Sequence, residues 1–327
     1  MWLLPALLWA QTAPQLAEFG VRHLEAGDLA AARAAFEQCL AIAPTHYDAL
    51  SGLGFIHYSE GRFQPARDHL ERAARLRPQS FQTRFLLGAT LVQLNDPEAA
   101  ITQLEGAHTM DRAHSDARIL LAAQYVRTRR YPKAIAILSP PGDEESCLLL
   151  IEAKQASGDA AGAFELAQSS AARFPRSAQV AAWLGFQLQF AGRFDEARRL
   201  LERALRLDPA LPAPYQIMGE VWLKEENWAE AVSWLKRAAE RMPGDSDTLL
   251  GLSRALVESG EAGEALRVLE QAARAAPEDA RVHLQLSRLY YRLGDEPRAR
   301  QAADRSISLR QGGAVATSAP AGLRSAK

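Results

Sequence analysis

Two short segments of this chain contain residue types that could support chemistry. GLSRA, from Gly251 to Ala255, is similar to the turn that presents the nucleophilic serine of hydrolases, but that turn must follow a strand, and Ser253 stands inside a helical pattern. GLGFIH, from Gly52 to His57, begins like a loop that holds dinucleotide phosphates, yet it lacks the third glycine and a preceding strand. The sequence therefore predicts no catalytic residue and no cofactor, and we expect a protein that is not an enzyme.

Histidine and cysteine are the other candidates for chemistry, because they ligate metals when their spacing brings them together. No two histidines stand four residues apart on one helix face, no HExxH motif occurs, and Cys39 lies far from Cys147. The sequence therefore predicts no metal site, and we interpret the histidines as packed side chains. They are His23, His46, His57, His69, His108, His114 and His283.

Composition excludes some classes of partner. The chain has 327 residues, 48% of them hydrophobic, with 38 basic residues against 39 acidic ones. This composition is typical of a soluble globular protein, and a net charge near zero does not favour nucleic acid as a partner. Charge is uneven locally, because seven arginines and only three acidic residues lie between Ala280 and Arg310. We interpret this segment as a solvated terminal face, with a site for an acidic ligand as the alternative.

The first twelve residues, MWLLPALLWAQT, contain an apolar run from Trp2 to Ala10. This run is long enough for the core of a signal peptide and too short to span a bilayer, so we expect no integral membrane segment. It predicts a periplasmic or secreted protein that begins at Gln11 after cleavage. The alternative is an uncleaved apolar arm that packs on the first helix of a cytoplasmic protein, because no basic residue precedes the run.

The elements that would position any site are revealed by an alanine that recurs through the chain. Its successive spacings are 34, 34, 34, 29, 34, 34, 34 and 34 residues, which is the signature of a repeat protein. The nine positions are Ala32, Ala66, Ala100, Ala134, Ala163, Ala197, Ala231, Ala265 and Ala299.

Small residues and helix breakers recur in the same register. A small residue stands twelve places before the alanine in eight of the nine units, and prolines such as Pro209 close six units. Helices that pack closely need small residues where they cross, and proline ends a helix. Each unit therefore predicts two antiparallel helices, with glycines such as Gly192 in the turn between them.

This pattern resembles the tetratricopeptide repeat, a helix-turn-helix unit of 34 residues. The resemblance covers residues 13–311 and implies an all-α, right-handed superhelical solenoid of nine repeats and about eighteen antiparallel helices. We expect residues 312–327, which are small and polar, to form a disordered tail. The predicted units start at Ala13, Tyr47, Phe81, Ser115, Glu144, Ala178, Pro212, Ser246 and Ala280.

The middle of the array departs from the pattern. The fourth unit is five residues short, since 34 − 29 = 5, and its second helix runs into SPPG at Ser139 to Gly142. In the fifth unit Ile151 replaces the small crossing residue, which should push the two helices apart. We expect the repeats to be least regular here and the stack to bend or loosen at the short unit.

The resemblance implies that positions two, five, nine and twelve of each unit form the inner wall of a concave groove. The predicted function is a non-catalytic scaffold that binds a protein or peptide there, within a multiprotein complex. The alternative is an accessory subunit of a cell-envelope enzyme complex, such as one for polysaccharide assembly or secretion. A further alternative is a ligand-gated regulator. For two of the candidate contacts, Phe85 and Trp183, the alternative is that they turn inward to fill the irregular middle of the array. The candidate partner-binding residues are Phe55, Tyr58, Phe85, Leu86, Trp183, Phe186, Gln216, Glu220, Arg254, Arg281 and Arg288.

Overall fold

The computed structural model describes residues 12–312, and this part of the chain consists of eighteen α-helices with no strand. They are α1 (Ala13–Glu25), α2 (Leu29–Ile42), α3 (Tyr47–Ser59), α4 (Phe63–Leu76), α5 (Phe81–Gln93), α6 (Pro97–Met110), α7 (Ser115–Arg127), α8 (Tyr131–Leu138), α9 (Glu144–Ala156), α10 (Ala160–Arg173), α11 (Ala178–Phe190), α12 (Phe194–Leu207), α13 (Ala213–Lys224), α14 (Trp228–Arg241), α15 (Ser246–Glu258), α16 (Ala262–Ala275), α17 (Ala280–Arg292) and α18 (Glu296–Gly312).

Consecutive helices pair into nine helix-turn-helix repeats, so the predicted all-α solenoid is confirmed. The odd-numbered member of each pair is called the first helix here, and the even-numbered member the second. α13 begins at Ala213, one residue after the expected unit start, because Pro212 caps it. α18 extends to Gly312, the first residue of the predicted tail, and the rest of that tail lies outside the described residues, as does the apolar run at residues 2–10.

The turn inside each of the nine repeats contains one residue with a positive φ angle. Six turns contain a glycine with positive φ, for example Gly27 at 79° and Gly192 at 71°. The three turns without glycine adopt the same left-handed conformation at the equivalent residues Asn95, Arg129 and Glu226, with φ between 58° and 60°. Left-handed backbone is costly for residues with a side chain. The repeat therefore imposes this turn even where the sequence does not favour it.

Each repeat is held together where its two helices cross. A Cβ atom added to Gly54 would lie 2.5 Å from the Cγ atom of Leu70, and one added to Gly88 would lie 2.6 Å from that of Leu104. At Gly219 an added Cβ would overlap Leu235, which is completely buried. The leucine of the second helix therefore fills the space that a side chain on the first helix would need.

The described chain divides into two compact units between Ser139 and Pro140. The N-terminal unit contains α1–α8 and the C-terminal unit contains α9–α18. The division follows α8, which is only eight residues long because Ser139, Pro140 and Pro141 end it. The predicted irregularity of the fourth repeat thus coincides with the boundary between the units.

Within each unit, first helices form a continuous layer. α1, α3, α5 and α7 contact one another in order, and so do α9, α11, α13, α15 and α17. No two second helices of successive repeats are in contact anywhere in residues 12–312.

Cys39 and Cys147 are both buried free thiols. None of the described helices combines the length and the hydropathy that crossing a membrane requires.

The helix crossing predicts opposite effects for one substitution at two glycines. Gly219→Ala should lower the free energy of unfolding by about 1–3 kcal/mol, because the added methyl group overlaps Leu235. Gly251→Ala should raise it by about 0.5–1 kcal/mol, because its Cβ would meet Leu223 and Leu235 at ordinary distances of 3.5 Å and alanine favours the helix. Urea denaturation followed by circular dichroism measures both, and equal effects would contradict the crossing model.

Candidate binding surface on the first helices

Positions two, five, nine and twelve of each first helix form what we call the wall, which is described separately for each unit. In the N-terminal unit the wall is aromatic. Phe55 on α3 is 43% exposed, while Tyr58, Phe85 and the neighbouring Leu86 are half-buried. Phe85 stacks on Phe81 with ring centroids 5.8 Å apart. Phe55 is thus the most open of the four predicted contacts in this unit.

In the C-terminal unit the two predicted aromatic contacts are buried. Trp183 is 1% exposed and Phe186 is 4% exposed, and Trp183 therefore takes the inward position that was its alternative. Their rings meet edge to face at 5.6 Å within a buried cluster that includes Leu201 and Ile217. The cause is the apolar sequence of α11, which is buried from residue 180 to residue 189 and has no solvated face. Phe190, the last residue of α11, is 61% exposed.

The three predicted arginines behave differently from one another. Arg281 on α17 is half-buried and engaged, because it donates to Asp247 on α15 at 2.6 Å and to Asp279 at 2.7 Å. The bond to Asp279 is the largest of the effects that raise the pKa of Arg281. Arg254 and Arg288 are exposed, and no acidic residue of the described chain forms an ion pair with either. These two guanidinium groups are available to a ligand.

A polar cluster lies on the wall between α11 and α13. Gln189 donates its side-chain amide to Oε2 of Glu220 at 3.0 Å, and Gln216 donates to Oε1 of the same carboxylate at 3.1 Å. Both glutamines are 1% exposed, whereas Glu220 is half-buried. We call these three residues the Glu220 cluster. Gln189 was not among the predicted site residues, although it occupies position twelve of the sixth unit, which is one of the four wall positions.

Burial dominates the electrostatics of this cluster. It raises the pKa of Glu220 above its usual range, and the nearby Asp247 acts in the same direction, while the two glutamine amides and the charge of Lys224 oppose the shift. Burial also lowers the pKa of Lys224, one turn further along α13. The Nζ atom of Lys224 lies 3.4 Å from the carbonyl oxygen of Gln189 and 4.4 Å from the centre of the Phe190 ring.

A groove of about 450 Å³ lies elsewhere in the N-terminal unit, among α4, α5 and α6. Its charged lining is largely satisfied internally. Arg84 donates to the carbonyl oxygen of Pro78 at 2.7 Å and to Gln103 at 3.3 Å, and Arg67 lies 3.6 Å from Glu71. No cluster of three potential metal ligands occurs among residues 12–312.

Comparison with known proteins agrees with this architecture. A family model described as tetratricopeptide repeat matches residues 23–84, 91–145, 154–220, 223–283 and 256–317. Two relatives are similar in sequence: cellulose synthase 1 operon protein C of Komagataeibacter xylinus, 23% identical over 252 residues, and cellulose synthase operon protein C of Pseudomonas fluorescens, 34% identical over 80 residues. These matches cover 76% and 24% of this chain, but only 18% and 6% of the relatives' own lengths.

Solved structures share the fold at low sequence identity. A tetratricopeptide repeat protein from Parabacteroides merdae is 15% identical, with a TM-score of 0.57 over 75% of this chain and 98% of its own. The human IFIT1 dimer with m7Gppp-AAAA is 14% identical, with a TM-score of 0.59 over 92% of this chain and 78% of its own. At such identities the likeness concerns the fold alone.

The buried position of Trp183 predicts a stability defect. Trp183→Ala should lower the free energy of unfolding by about 3–5 kcal/mol, because it removes a large side chain from a packed core. Phe190→Ala on the same helix is the control and should cost no more than about 1 kcal/mol, since Phe190 is mostly exposed. Denaturant titration measures both. A near-neutral effect of Trp183→Ala would contradict its place in the packed core.

The raised pKa of Glu220 predicts a pH-dependent contribution to stability. Below the unfolded pKa of about 4.3 the carboxyl is protonated in both states. As the pH rises toward the folded pKa, the unfolded state ionises first, so the folded protein loses stability. Glu220→Gln removes this term, and its unfolding free energy should increase relative to the wild type as the pH rises from about 4 to 7.

Urea titrations across this pH range compare the two proteins. Glu240→Gln, an exposed substitution on α14, controls for the loss of one negative charge. A difference between Glu220→Gln and wild type that stayed constant with pH would show that burial does not perturb this carboxyl.

Proposed function

We propose that this chain, which belongs to the tetratricopeptide repeat family, is a scaffold that binds a protein or peptide partner along its walls. The observation that carries the proposal is that groups at the wall positions remain unused by the fold. Phe55 is exposed in the N-terminal unit, and Arg254 and Arg288 are exposed and unpaired within the described part of the C-terminal unit. Family members bind protein partners, and exposed aromatic and arginine side chains are frequent energetic centres of interfaces.

The two walls would contribute different interactions. In the N-terminal unit, Phe55 would bury its ring under an apolar side chain of the partner, beside Tyr58 and Phe85. In the C-terminal unit, Arg254 and Arg288 would pair with acidic groups, which orients the partner and makes association depend on salt. Arg281 would support the wall through Asp247 instead of contacting the partner directly. The fold is typically non-catalytic, and the proposal assigns this chain no reaction.

A more specific role is an accessory subunit of an envelope complex that assembles or secretes polysaccharide. It is favoured by the two relatives described as cellulose synthase operon proteins, although each match covers a small part of the relative. With this role the protein would be periplasmic or secreted, as the apolar run at residues 2–10 also suggests. Cross-linking in the native host tests it. Partners drawn from envelope glycan synthesis or secretion would support this role, and exclusively cytoplasmic partners would contradict it.

The scaffold proposal predicts that substitutions on the walls weaken partner binding without unfolding the protein. Phe55→Ala should cost about 1–4 kcal/mol of binding, because it removes an exposed aromatic contact. The matched control is Phe19→Ala, since Phe19 on α1 is 40% exposed but does not occupy a wall position. Arg254→Glu combined with Arg288→Glu should weaken binding most at low salt, and Arg206→Glu on α12 is its control.

Quantitative affinity capture from the native host, with melting temperatures of all variants, provides the measurement. Equal capture by Phe55→Ala, the arginine double variant and both controls would remove the walls from partner binding.

A further inference from the structure

Glu220 is an acidic group with no directly bonded cation. It is half-buried on the wall of the C-terminal unit, and no lysine, arginine or histidine in residues 12–312 forms an ion pair with it. Lys224, the nearest cation on its own helix, lowers the pKa of Glu220 through its charge, but its ammonium group lies against the Gln189 backbone carbonyl and the Phe190 ring. Buried carboxylates in folded proteins are generally paired, because desolvation penalises an isolated charge. In the free protein the Glu220 carboxylate is therefore stabilised only by two neutral amides and by the charge of Lys224, which is not bonded to it.

The two glutamines of the cluster add further unused acceptors. Each donates its NH₂ group to Glu220, so neither amide can rotate by half a turn without presenting its oxygen to the carboxylate. Oε1 of Gln189 and Oε1 of Gln216 are both buried and without a hydrogen-bond partner. A buried acceptor without a donor has lost its hydrogen bonds to water and gained none in return. The cluster thus combines a carboxylate and two amide oxygens that all require donors.

We propose that the Glu220 cluster is a recognition site for a basic side chain of a peptide partner, preferably the guanidinium group of an arginine. A guanidinium supplies five N–H donors and no acceptor, so it can pair with the half-buried Glu220 carboxylate, and its remaining N–H groups reach the two amide oxygens once the buried glutamines move toward it. An ammonium group supplies three donors from a single point and fits this arrangement less completely. The inference rests on the scaffold proposal and adds to it the chemistry of one partner residue.

The charges around the cluster indicate in which orientation a partner would lie along the wall of this unit. Asp247 on α15 faces the cluster but is already bonded to Arg281. α11 faces it with the neutral amide of Gln189, and α13 contributes Lys224, which is held by the Gln189 carbonyl oxygen. The unpaired Arg254 and Arg288 follow on α15 and α17. The wall of this unit would therefore accept a basic residue at α11–α13 and an acidic residue toward α17.

Capped tripeptides test the site on the full chain. Ala-Arg-Ala is compared with Ala-Lys-Ala, Ala-Gln-Ala and Ala-Glu-Ala, while NMR follows the side-chain amides of ¹⁵N-glutamine-labelled protein. Ala-Arg-Ala should shift the Gln189 and Gln216 signals in a saturable manner, with a Kd on the order of 1 mM, as expected for a single anchored side chain. Ala-Lys-Ala should bind more weakly, and the neutral and acidic peptides should leave both signals unchanged.

Variants and pH provide the decisive comparisons. Glu220→Gln should weaken Ala-Arg-Ala at least about tenfold, whereas the exposed control Glu240→Gln should bind like the wild type. Affinity should increase as the pH rises through the titration of Glu220, because only the ionised carboxylate pairs with a cation. Equal shifts with Ala-Arg-Ala and Ala-Gln-Ala, no shift at about 10 mM, or undiminished binding by Glu220→Gln would each overturn the inference. The scaffold proposal would still stand if Phe55→Ala reduced partner capture.

Discussion

The contact between a glycine of the first helix and a large apolar side chain of the second helix is the constraint on which the structure depends. Leu70, Leu104, Leu201 and Leu235 each occupy the space beside a crossing glycine, and Phe36 does so beside Gly20. Such crossings allow the two helices of a repeat to pack closely. A helix pair cannot bury its apolar faces alone, so its remaining surfaces must pack against neighbouring repeats. The regular spacing of these residues along the chain therefore fixes how successive repeats pack against one another within each unit.

This register also determines how polar groups meet on the wall. The bonds that link first helices join residues about one repeat apart, such as Gln187 to Gln155, Gln189 to Glu220 and Arg281 to Asp247. A polar side chain on the wall therefore finds its partner in an adjacent repeat. A group whose partner is missing in the next repeat remains unsatisfied, because the helix layer fixes its neighbours. Binding groups on this fold can arise from such mismatches between consecutive repeats.

The sequence was sufficient to predict the helices, their pairing and the location of the irregular repeat, since these follow from the spacing of Ala32 and its equivalents and from SPPG. It did not predict the left-handed turn at Arg129 or Glu226, because tertiary packing there overrides local preference. It also failed for Phe186. A wall position predicts the direction of a side chain, whereas its exposure depends on how closely the neighbouring helices approach, which a repeat pattern does not specify.

Charge pairing in the C-terminal unit follows two patterns that stability alone does not explain. Arg281 bonds two carboxylates, Asp247 and Asp279, so one cation has more partners than its charge requires. Glu220 and Arg254 occupy the same position of consecutive repeats and carry opposite charges, yet they form no ion pair. Sequences selected for stability alone satisfy such groups locally, and departures from that consistency concentrate at functional sites. On the proposal made above, a ligand would complete the charges of Glu220 and Arg254, which lie on the first helices of consecutive repeats.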